Sequence, residues 1–196
     1  MTRSQLPETV LLLLAFPTVF SREPKLMLFQ SRMNIERLQL LKTWPVSSIQ
    51  QCLAHRKSFL LPQQSVSRPQ YGREHALAVL HEVLQQIFTL LQTHASLGVW
   101  KENNIENVLA ALHQQLEYVQ SLAELEADRQ GAGRTLGYSV QNLRLQVKAY
   151  FRRIHNFLES QRYSSCAWII VQVEINRCMF FVFRLTTWLS KQELVP

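Results

Sequence analysis

The chain has little cysteine and little glycine, three of the first and five of the second in 196 residues, and no ordinary Asn-x-Ser/Thr acceptor at all. Asn142, Asn156 and Asn176 all fail at the third position, so N-glycosylation is not expected outside the rare Asn-Arg-Cys form at Asn176. Also missing are a Gly-x-Ser-x-Gly elbow, a phosphate-binding loop and a Gly-x-Gly-x-x-Gly turn. His81-Glu82 opens like a zinc-protease helix, but Gln85 stands where the second histidine ligand belongs. Nor do His75, His81 and His94 have the spacing to share a helix face as ligands. These absences argue against an enzyme: no catalytic residue, metal or cofactor is expected.

What is present begins with a leader. Arg3, an apolar run from Val10 to Phe16, and Val19 and Ser21 at the spacing of a cleavage site read as a signal peptide over residues 1–21. Pro7 and Pro17 bracket that run at about ten residues, too few to cross a bilayer. Cleavage after Ser21 removes one Arg and one Glu, so the formal charge of +7 stays with residues 22–196, which are expected to form one extracellular domain. No later run is read as long enough to span a membrane. A basic extracellular protein has several conceivable partners, from acidic glycans, anionic membranes and nucleic acid to an acidic receptor face, and charge alone does not choose among them.

Apolar residues recur at helical spacing in blocks near 25–42, 73–93, 102–122, 140–160 and 165–191, which makes the class all-α. Leu77, Leu80, Leu84, Ile87 and Leu91 show the pattern in the second block, and Val171, Ile175, Cys178, Val182, Leu185 and Leu189 in the last. Ser139 is the expected N-cap of the fourth. The stretches 43–70 and 123–139 then read as long connections, of the kind a bundle needs where consecutive helices run parallel.

An oxidising destination favours a disulfide. A helix from Cys166 to Cys178 rises about 18 Å, so these two cannot join. Cys178 falls on the apolar stripe, where a free thiol behaves as a small hydrophobe, whereas Cys166 lies beside a polar turn that a loop cysteine can reach. The expected bridge is therefore Cys52 to Cys166, with Cys178 free. Two surface features stand out from the helical background: a basic stripe of Arg144, Lys148 and Arg152, and a row of Val173, Arg177, Phe181, Arg184 and Trp188 opposite the last core stripe. Arginine and large aromatics carry much of the energy of interfaces, so the second row is expected to be a binding face.

The segments "CLAHRKSF", "YFRRI" and "RYSSCAWIIVQVEINRC" resemble the signature segments of the type I interferons, and the likeness runs over essentially the whole chain. That resemblance implies a five-helix cytokine bundle with a long loop between its first two helices. It implies a secreted, monomeric cytokine that joins both subunits of the type I interferon receptor and activates JAK-STAT signalling and antiviral genes. It brings no nucleic acid, no stable membrane insertion and the same Cys52–Cys166 bridge. Carried over by position, Leu53, Arg56, Val173, Asn176, Arg177 and Phe181 are expected to meet the high-affinity subunit, Arg56 as a buried, multiply hydrogen-bonded cation, and Lys148 the low-affinity one. The second disulfide of the alpha interferons is missing, and Gln50, Gln172 and Asn176 replace residues that are basic or more apolar there, which implies weaker binding to the high-affinity subunit. The alternative from another class is a basic helical protein acting directly on membranes or acidic glycans through the Arg144 stripe.

Overall fold

A computed structural model describes residues 23–41, 50–62, 72–130 and 134–192; the leader at 1–21 lies outside the described residues. Five long helices carry the fold among them: α1 (Glu23–Leu40), α2 (Arg73–His94), α3 (Glu102–Gln130), α4 (Arg134–Ser160) and α5 (Ser165–Gln192). Their ends follow local chemistry. Pro24 falls in the first turn of α1, where no intrahelical bond is owed by its nitrogen. The Ser164 hydroxyl accepts the Ala167 N–H at 3.3 Å and so caps α5. The turn before it bends through left-handed Arg162 and Tyr163, closed by Tyr163 N–H donating to the Leu158 carbonyl at 2.9 Å.

Cross-helix bonds fix the directions. Ser31 meets Thr186 and Leu38 meets Gln172, so α1 is antiparallel to α5. Tyr150 reaches both Glu174 and Cys178 on α5, while Lys148 faces Glu82 and His155 faces His94, so α4 runs parallel to α2. Arg73, at the start of α2, pairs with Glu126 near the end of α3 at 3.2 Å, so that pair is antiparallel. Because α5 is antiparallel to α4 as well as to α1, α1 and α2 must be parallel, and residues 41–72 form the long crossover that parallel neighbours need.

The second long connection expected from the sequence is not there. Ser121–Gln130 is a run of good helix formers that continues α3, and α4 starts at Arg134, leaving only 131–133 between them. Helices α3 and α4 run in opposite directions, so a short link suffices. Gly137 sits inside α4, and Ser139, five residues past the first, is not its N-cap. Contrary to the sequence expectation, α5 is long and apolar enough to cross a bilayer, although most of that stretch is buried inside the bundle. Helix α2 touches α3, α4 and α5 and is the centre of the packing, with Leu77, Leu80, Leu84, Ile87 and Leu91 fully buried. Trp168 closes one end of the core, edge-on to Trp100 at 4.9 Å.

Candidate functional site

The crossover brings a short helical turn, Leu53–His55, against the start of α5. Cys52 and Cys166 are joined there, with Cα atoms 5.1 Å apart, and Cys178 is the free, buried thiol. Beside the bridge lies a groove of about 340 Å³. Leu53, Arg56 and Lys57 form one wall of it and Ile169, Val173 and Arg177 the other. Leu53, Arg56, Val173 and Arg177 are all exposed, so the cleft combines apolar side chains with three cations.

One acid sits in the wall. Glu174 is buried and shares its two oxygens: Tyr150 Oη donates to Oε1 at 2.7 Å, and Arg177 Nη1 donates to Oε2 at 3.4 Å. Burial first, and the neighbouring Cys178 second, hold the Tyr150 phenol well above its usual range, so Tyr150 stays a donor. The carboxylate thus draws the exposed Arg177 back along the groove.

Residues 26–189 match the interferon alpha/beta domain family. The chain belongs to the type I interferons. This interferon is 68% identical to interferon epsilon of Mus musculus over 196 residues, the full length of both chains. It is 59% identical to interferon epsilon of Homo sapiens, across 94% of this chain and 87% of that one. With interferon beta-2 of Bos taurus the identity is 33%, over 97% and 100% of the two chains. It is accordingly a cytokine and not an enzyme. Among the described residues no three His, Cys, Asp or Glu side chains gather as metal ligands.

The remaining site residues of the interferon fall in different places. Asn176 is half-buried on α5. Phe181 does not belong to the outer face: it is only 8% exposed and packs in the core, and Trp188 is partly buried against the same core. The exposed aromatic is Phe180, at 57%, which continues the line of Val173 and Arg177. Helical geometry explains the correction, since position 180 lies about 20° from 173 around the axis and position 181 about 80°. Sequence reading missed Phe180 because Met179–Phe183 is apolar throughout, so spacing alone does not say which of its members faces water. Gln172 is also buried, its Nε2 donating to the Leu38 carbonyl at 3.4 Å, so it takes nothing from the outer face. Arg56 is exposed in the free chain. Lys148 lies on α4 with Nζ 3.9 Å from Glu82 Oε2, at the seam with α2 and not at the groove.

Proposed function

We propose that this interferon is secreted after removal of residues 1–21 and acts as a monomer that joins the two subunits of the type I interferon receptor, so that JAK-STAT signalling switches on antiviral genes. The high-affinity subunit docks on the groove through Leu53, Arg56, Val173 and Arg177 and on Asn176 of α5 outside it, and the low-affinity subunit meets α4 around Lys148. The observation that carries this reading is the groove itself: residues more than a hundred positions apart in sequence gather around one cleft, where Leu53, Ile169 and Val173 stand beside Arg56, Lys57 and Arg177. Such a cleft suits a partner that presents an apolar side chain flanked by carboxylates.

The test applies residues 22–196 to matched reporter cells that have or lack the high-affinity subunit. A response that disappears with the subunit supports the reading. A response that persists without it, and fades steeply with salt, moves the function to anionic membranes or glycans bound by the exposed Lys148 and Arg152. Within the receptor reading, Arg56→Ala and Arg177→Ala are each expected to cost about 2 to 5 kcal/mol of binding, because each leaves partner groups unpaired in a desolvated contact. Surface plasmon resonance against the receptor ectodomain reads that loss; circular dichroism should show unchanged helicity.

A further inference from the structure

The loop wall of the groove is held firmly at its two ends and lightly between them, where Lys57 Nζ stands 5.9 Å over the Phe157 ring of α4. Cys52 is fixed by the disulfide, Phe59 is fully buried, and every residue from Leu53 to Ser58 is exposed. Phe59 packs edge-on against Phe157 of α4, with ring centroids 5.3 Å apart. Beside it, Arg153 of α4 donates twice to the crossover backbone: Nε to the Phe59 carbonyl at 2.9 Å and Nη2 to the Leu60 carbonyl at 3.2 Å. Leu60 is itself left-handed, with φ of 55°, and 71% exposed. A leucine keeps that backbone only where its surroundings impose it. Its own side chain is mostly in water, so the bend is held by what flanks it: Phe59 and Leu61 packed on the core, and the two carbonyls on one guanidinium.

We propose that Arg153, which lies off the groove, is a positioning residue for it: its planar fork locks the far end of segment 52–60 and so presets where Leu53 and Arg56 stand. The inference rests on the receptor reading for its binding consequence, but not for the clamp. A lysine cannot reproduce two in-plane donors, so charge alone does not substitute. Presetting a loop lowers the ordering cost of binding and shows mainly in the dissociation rate.

The experiment uses Arg153→Met in residues 22–196, with Arg153→Lys as the milder variant that carries the test if the first does not fold. The first arm needs no receptor. Trypsin cuts after the exposed Arg56 and Lys57 only when that stretch unfastens, and cleavage there, mapped by mass, is expected to speed up about tenfold or more, with helicity and cleavage elsewhere unchanged. An unchanged rate at those two bonds overturns the clamp. The second arm measures dissociation from the high-affinity subunit, which should quicken about ten- to a hundredfold, as expected for lost charge-assisted hydrogen bonds. In double-mutant cycles the loss should overlap with Leu53→Ala, whose contact is already misplaced, and multiply independently with Arg177→Ala on the other wall. Equal independence from both, or a general loss that follows stability, overturns the positioning role. Failure of the wild-type protein to bind overturns the receptor reading, and the trypsin arm alone then decides the clamp.

Discussion

Cys178 is the odd thiol of a protein expected in an oxidising compartment, and its surroundings decide whether that matters. It is fully buried on α5, with Sγ 3.2 Å from Tyr150 Oη. Burial pushes its pKa up to about 12, against the partial relief of the Tyr150 hydrogen bond. The reactive species is the thiolate, so neither alkylation nor intermolecular disulfide exchange has a form of Cys178 to work on near neutrality. The folded chain holds this proton more tightly than the unfolded one, so the contribution to stability is complete below the unfolded value of 9 and is lost as pH rises through the folded one. Ellman's reagent at pH 8 should find no thiol in the native protein and a single one after denaturation. A native protein that titrates one thiol would place Cys178 at the surface and break the packing described for α5.

Among the elements, α1, α3 and α5 are tied by polar groups that no water reaches. Gln115 Nε2 donates to Ser31 Oγ at 2.7 Å, Asn34 Nδ2 donates to Gln115 Oε1 at 2.6 Å, and Ser31 and Thr186 share a hydroxyl bond of 3.1 Å. All four are buried. Sliding any of the three helices by a turn breaks the set, so the cluster selects one register at little net gain. Gln115→Ala should cost about 1 to 3 kcal/mol in chemical denaturation because it strands buried partners, whereas a joint apolar replacement of Ser31, Asn34 and Gln115 should be much closer to neutral. This cluster was invisible to periodicity, which sees polar residues as water-facing. The apolar stripes of α2 and α5 were legible because a repeat of three and four residues has one solution in three dimensions. The stretch 123–139 looks like a connection because glycines stand at 131, 133 and 137, yet the helix-forming run up to Gln130 continues α3. On the site, Val173 and Arg177 were legible as a helix face. Leu53 and Arg56 were not legible from pattern, since a loop residue takes its neighbours from a disulfide and from Arg153, and they entered only through family resemblance.

Across the whole molecule, α4 separates two surfaces. Arg153 serves the groove on one flank, and Lys148, five residues earlier, stands about 140° around the same helix, against α2. A rigid helix with partners on two flanks is what a protein needs if it is to join two receptor chains without their sharing an epitope. The two surfaces should therefore fail separately. Lys148 is half-exposed and stands a long 3.9 Å from Glu82, which is buried but also accepts from Gln86 at 2.9 Å, so Lys148→Ala should lower the melting temperature by only about 2 to 4 degrees. If the α4 face meets the low-affinity subunit, this variant keeps its affinity for the high-affinity ectodomain, loses signalling severalfold in reporter cells, and competes with the wild-type protein when in excess. Loss of the first binding step together with signalling would mean that Lys148 and the groove form one continuous surface. Retention of both would move the second contact elsewhere on the bundle.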